Sequence, residues 1–149
     1  MTIVAYRYSP PMSALLGRSI RTLAWLGDAE FEREVRLRIA ARGDFPTERL
    51  DTIKARIVRA ESQAALLAAF ADELDESEQA VVRRARNAEP GGRGPRDTRA
   101  YRAATGLEAL VAHWLLGGDR ARFEAILGVR LEAAIDDAFA AARARPRRG

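Results

Sequence analysis

The sequence predicts an all-α domain of about six to seven helices, on three observations. Alanine, leucine, arginine and glutamate dominate, and β-branched runs are lacking. No segment alternates apolar and polar residues for long enough to make a strand. Glycine and proline breakers divide the chain into pieces of helix length.

Each element follows from its flanking residues. Residues 1–11, MTIVAYRYSPP, read as a flexible lead-in that Pro10-Pro11 ends. A helix is expected from about Ser19 to Arg42, closed by Gly43. Asp44-Phe45-Pro46-Thr47 forms a turn, with Thr47 as the expected cap of the next helix. That helix carries Leu50, Ile53, Ile57 and Val58 and is expected to continue through Ala64 to Phe70. Residues 75–88 make another, with Asp75, Glu76 and Glu78 near its start and Arg83, Arg84 and Arg86 near its end, which suits the helix dipole. Residues 89–95, EPGGRGP, are the one clear loop. Asp97 or Thr98 is expected to cap a helix running to about Leu116, where Gly117-Gly118 stops it. Two shorter helices follow, from about Arg120 to Leu127 and from Val129 to Ala144. Residues 143–149, RARPRRG, read as a frayed basic tail. There is no internal repeat, and residues 1–149 are expected to form a single domain.

A chain of 149 residues buries roughly two-thirds of its unfolded surface and needs no staple to fold. It has no cysteine, which excludes structural disulfides and thiolate metal sites. There is no apolar run of signal-peptide length at the start and none of membrane-spanning length anywhere, so the expected location is cytoplasmic, with no membrane partner. The net charge is +4, and Lys54 is the only lysine among 25 basic residues. Arginine's planar fork suits phosphate better than an ammonium does. Codon bias in an alanine-rich chain accounts for the same excess.

Two acids stand where solvated acids do not belong. Wound at about 100° per residue, residues 20–39 place Ile20, Ala24, Gly27, Phe31, Val35 and Ile39 on one arc. Asp28 lies inside that arc, toward its edge, and Glu32 follows one turn later. The same winding of residues 101–116 gathers Ala104, Val111, Ala112 and Leu115 around Glu108. A carboxylate on a core-facing stripe is costly unless an arginine, a proton or a metal ion compensates it. Small residues surround both acids: Ala24, Gly27 and Ala29 on one helix, Ala104, Gly106, Ala109 and Ala112 on the other. They would let the helices approach and bring Asp28 and Glu108 into one cleft. The metal such a pair suits is hard and oxygen-loving, magnesium above all. Nothing supports zinc: His113 is the only histidine, and its helix angle sets it opposite Glu108.

Arg83, Arg84, Arg86, Arg93, Arg96, Arg99 and Arg102 crowd into a short stretch that only Glu89 and Asp97 offset. The stretch spans a helix end, the Gly/Pro loop and the start of the helix carrying Glu108. No aromatics interleave, so splayed bases have nothing to stack on, and contacts to a duplex backbone are favoured. Solvated helix ends explain Arg83, Arg84 and Arg86 as well, but Arg93 and Arg96 poorly. Gly91-Gly92-Arg93-Gly94 is no phosphate cradle, because it lacks the flanking strand and a following Lys-Ser/Thr.

The segment Leu23-Ala24-Trp25-Leu26-Gly27-Asp28-Ala29 resembles the ribonuclease III core motif, in which Leu-Gly-Asp sits mid-helix. Thr105-Gly106-Leu107-Glu108-Ala109-Leu110 resembles the second motif, where Glu-Ala-Leu carries the other metal-binding acid. Val82-Arg83-Arg84-Ala85-Arg86-Asn87-Ala88, Tyr101-Arg102 and Ala60-Glu61-Ser62-Gln63-Ala64 resemble segments of the Mini-III branch. The likeness runs from about Leu23 to Leu127.

The resemblance implies an all-helical homodimer with an RNA valley across it and no separate RNA-binding domain. It implies a magnesium-dependent endoribonuclease for double-stranded RNA, with manganese able to substitute and large-subunit ribosomal RNA precursor as the substrate. Asp28 and Glu108 would be the catalytic metal ligands, with Glu32 a further candidate. Asn87 and the arginines Arg83, Arg84, Arg86, Arg93, Arg96, Arg99 and Arg102 would bind RNA. Hydrolysis would leave a 5′-phosphate and a 3′-hydroxyl. Full-length ribonuclease III enzymes carry further acids where this chain has Ala24 and Thr105; the Mini-III branch tolerates small or hydroxyl residues there. Glu30 stands at a commonly apolar position without explanation. The missing acids support a second reading, an inactive RNA- or ribosome-binding module. A third is a structural helical dimer with arginines for solubility. A ribosomal protein as accessory is an open expectation.

Overall fold

A computed structural model describes residues 11–88 and 99–143. Most of the lead-in, the loop 89–95 with Arg93, then Arg96, the expected caps Asp97 and Thr98, and the tail from residue 144 lie outside the described residues. Among the described residues there are seven α-helices and no strand.

A short 3-10 turn, Met12–Gly17, precedes α1, Ile20–Ala40. Ser19 caps α1 by accepting the Thr22 N–H on its Oγ at 3.2 Å. The expected inward arc is buried at Ala24, Gly27, Phe31, Val35 and Ile39, and Leu23 and Glu34 join it.

The next helix departs from expectation twice. Thr47 is its first residue, and Pro46 holds the cap position. The one helix expected from Thr47 to Phe70 is two: α2, Thr47–Val58, and α3, Ala60–Phe70, with Arg59 extended between them (φ −63°, ψ 152°). The break leaves the last carbonyls of α2 without helical partners. Side chains from α3 supply them. Ser62 Oγ donates to the Arg56 carbonyl, and Gln63 Nε2 donates to the Val58 carbonyl at 2.7 Å.

α4, Glu76–Asn87, opens on a reciprocal cap, in which Asp75 accepts from the Glu78 N–H and Glu78 accepts from the Asp75 N–H. α5, Arg99–Leu116, is buried on nearly every side, from Ala103 and Ala104 through Leu107 and Leu110 to Trp114. Such a helix is one that others surround, and α1, α3 and α4 all pack on it. Gly118, at φ +77°, ends it in a conformation that costs glycine nothing. The two expected C-terminal helices are there but joined: α6, Arg120–Phe123, passes through a π turn, Glu124–Gly128, into α7, Val129–Arg143. α7 packs on α2 and α1. The main core gathers Phe31, Phe70, Leu110, Trp114, Phe123 and Ile135.

Candidate active site

The site forms where α1 crosses α5. A methyl group at Gly27 would come within 1.7 Å of the Glu108 carbonyl oxygen, so only a hydrogen fits there. Around the crossing, Ala24 packs with Ala109, Val81 and Ala85, and Leu23 with Ala112 and Leu116. Gly106 serves another contact: it faces Val82 and Arg86 on α4. The small residues thus bring the helices together as expected, and the residue after Gly27 is Asp28, beside Glu108.

The two carboxylates feel each other. Burial, and next the charge of Asp28, push the Glu108 carboxyl up to about 7, against a hydrogen bond from Gln63 that lowers it. Asp28 opens to solvent on one side. Partial burial on the other, then the charge of Glu32, raise its pKa too. Glu32 is itself held by Lys54 and Arg36, each at 3.3 Å. Among the described residues no cation pairs with Asp28 or Glu108.

That lack separates this pair from two acids the sequence reading missed. Glu34 and Glu78 are each only 2% exposed, deeper than either candidate. Burial pushes Glu34 up, but hydrogen bonds from Arg120 (2.5 Å) and Arg38 (2.6 Å) outweigh it and hold the carboxyl low. Hydrogen bonding from Arg122 overcomes burial at Glu78 and brings it to about 2, helped by the Asp75 N–H and the Trp114 indole. These acids are neutralised by partners within the fold. Asp28 and Glu108 are left with repulsion, which a hard cation relieves.

The donor set fits magnesium: two carboxylates, no soft ligand, and room on the Asp28 side for water and phosphate oxygens. Among the described residues no group of three or more His, Cys, Asp or Glu side chains could hold a metal, so Glu32 does not complete a trio. Position 24 could not help. Ala24 sits inside an apolar cluster, where an acid would be stranded. At position 105, the Thr105 hydroxyl donates to the Tyr101 carbonyl within α5. His113 is half-buried on α5.

The described basic residues lie on α4 and at the start of α5, two helices that pack together. Arg83, Arg84 and Asn87 are exposed on α4, Arg86 is half-buried, and Arg99 is exposed at the start of α5. Arg102 is half-buried and donates to the Arg86 carbonyl at 3.1 Å, tying α5 to the end of α4. The sequence reading also passed over the functional interest of Gln63: it is 3% exposed and lies close enough to Glu108 to lower its pKa. A polar residue at an inward position of an alanine-rich helix was the available signal. Among the described residues no helix is long and apolar enough to cross a membrane.

Known proteins resemble this chain over much of its length. Residues 21–119 match the ribonuclease III domain. The chain is 44% identical over 108 residues to a Mini-ribonuclease 3 of Symbiobacterium thermophilum, covering 71% of this chain and 82% of that protein. It is 43% identical over 97 residues to one of Desulfitobacterium hafniense, covering 65% of this chain and 62% of that protein. A crystal structure of a Fusobacterium nucleatum protein superposes with a TM-score of 0.69 at 26% identity, over 78% of this chain and 94% of that one. The chain belongs to the ribonuclease III domain family, among the relatives named Mini-ribonuclease 3.

Proposed function

We propose that the protein is a divalent-cation-dependent endoribonuclease that cuts double-stranded RNA. Its class follows from the family. The observation that carries the rest is the juxtaposition of Asp28 and Glu108 across the Gly27 crossing, with no cation among the described residues to neutralise them. Magnesium, held by those two carboxylates, would supply a water activated for attack and a positive charge on the scissile phosphate. Manganese is its natural substitute.

The chain's own residues do the holding and steering. Asp28 and Glu108 orient the cation. Lys54 and Arg36 keep Glu32 at the flank, where its charge biases Asp28 toward cation binding. Arg83, Arg84, Arg86, Asn87 and Arg99 contact phosphates without reading bases, and Arg93 and Arg96 continue that basic run in the sequence. Arg102, by gripping the Arg86 carbonyl, fixes the angle between the two helices that bear them. The substrate in this reading is a ribosomal RNA precursor, and the working form a homodimer. The dimer is supported by Trp25, 73% exposed on α1 only three residues before Asp28. A ring so exposed beside a functional carboxylate is a natural interface anchor.

The test is cleavage of end-labelled double-stranded RNA with and without magnesium, beside Asp28→Asn and Glu108→Gln. Magnesium-dependent cutting lost in either variant supports the reading. Duplex binding with no cutting by the unmodified protein would replace it with the RNA-binding module. No duplex binding at low salt would leave only the structural dimer.

A further inference from the structure

Gln63 lies on α3, one turn beyond the break at Arg59, and is almost wholly enclosed at 3% exposure. Its Nε2 donates to the Val58 carbonyl at 2.7 Å, which settles which end of the amide is nitrogen. The same side chain lies within reach of the Glu108 carboxylate and lowers its pKa, as a donor does. Its Oε1 is buried and has no hydrogen-bond partner among the described residues. A buried amide oxygen left unpaired is a net cost to the fold. A methionine or leucine would fill the space without that cost. The amide therefore stabilises nothing that an apolar side chain would not, apart from the Val58 tie and its hold on Glu108.

We propose that Gln63 is a positioning residue for the cation site: its Nε2 holds the Glu108 carboxylate in place beside Asp28, and its unspent Oε1 is completed by a hydrogen from the hydration shell of a cation held there. The break between α2 and α3 then has a purpose. It supplies the Val58 carbonyl that orients the amide, and it aims α3 so that position 63 reaches α5. A continuous helix would leave the Val58 carbonyl bonded within the backbone. The inference rests on the cation reading of Asp28 and Glu108.

The experiment compares Mn2+ binding to the RNA-free protein and to Gln63→Met by calorimetry, with thermal melting of both. Outer partners of metal ligands are worth about 10- to 100-fold in affinity or activity. A loss of that size, with melting retained, supports the proposal. The matching kinetic signature is a lower kcat with the KM for RNA unchanged. Equal Mn2+ affinity in the two proteins overturns it and leaves the two-carboxylate site standing. Absence of Mn2+ binding to the unmodified protein overturns both. Should Gln63→Met fail to fold, the unmodified protein still gives an answer through its side-chain amide 15N signals. Only Gln63, Gln79 and Asn87 contribute them. Titration with Mg2+ is expected to move the Gln63 signals and leave Gln79, bonded to the Leu74 carbonyl, in place. Stationary Gln63 signals at saturating Mg2+ overturn the proposal.

Discussion

Gly27 on α1 meets the main-chain carbonyl of Glu108 on α5 with no room between them for a methyl group. The contact is backbone against backbone, so no side-chain rotation relieves it. It sets the distance between the two helices and with it the placement of Asp28 beside Glu108.

Gly27→Ala tests that relation. In an exposed helix the change would stabilise by about 1 kcal/mol. Here the new methyl must force the helices apart, and overpacking of this kind costs about 1–3 kcal/mol or more. We expect a lower melting temperature and at least a tenfold loss of cleavage. A variant that melts at or above the parent would show that the helices do not meet at this point.

Glu108→Gln should separate stability from activity. The carboxylate is disfavoured by burial and by Asp28, so an amide removes a cost. At pH 8 without metal, the variant is expected to be more stable by about 1 kcal/mol, roughly 2–4 °C in melting. Cleavage should fall on the order of 100-fold or more, since a metal ligand is lost. A drop in melting temperature would mean that Glu108 is a structural acid.

Glu78 should behave in the opposite sense. Its folded pKa, about 2, lies below the ordinary 4.5. Such a group contributes stability that is fully present above about pH 4.5 and is lost as the pH falls toward 2. Glu78→Gln takes the charged partner from Arg122, which stays partly exposed and bonded to the Glu73 carbonyl, and is expected to cost about 1–3 kcal/mol at pH 7. Melting curves from pH 7 to 2 should show the gap between parent and variant narrowing through that window. A constant gap would rule out the ionised carboxylate as its origin.

Salt dependence measures the basic face. Arg83 and Arg84 are exposed on α4 and make no ion pair or side-chain hydrogen bond among the described residues. Replacing both with alanine should weaken duplex RNA binding alike for all sequences and lower the slope of log affinity against log salt by about 2. Thermal stability should stay within about 0.5 kcal/mol. An unchanged slope would move the RNA path elsewhere.

Trp25→Glu addresses the dimer. Sedimentation of the parent is expected to give twice the chain mass, and that of the variant the monomer mass. An exposed ring that did not take part in an interface would tolerate the change without altering either.

Much of this protein was legible in its sequence. The helix formers, the breakers and the 3.6-residue periodicity determined an all-α fold, because those signals act within one turn of the residues that carry them. The capping box at Asp75 and Glu78 and the cap at Ser19 are local in the same way. So was the pairing of Asp28 with Glu108, inferred from small residues beside acids on two apolar stripes. Tertiary structure alone decided the rest. The break at Arg59 has no breaker residue; it is held by Ser62 and Gln63 side chains reaching back to α2. Glu34 and Glu78 are the most buried of the described acids, and arginines 86 and 44 residues away reach them. A helical wheel fixes the direction a side chain points, but the partner it meets there arrives from another helix. For Glu34 and Glu78 that partner is an arginine. For Glu108 it is a second carboxylate and the buried amide of Gln63.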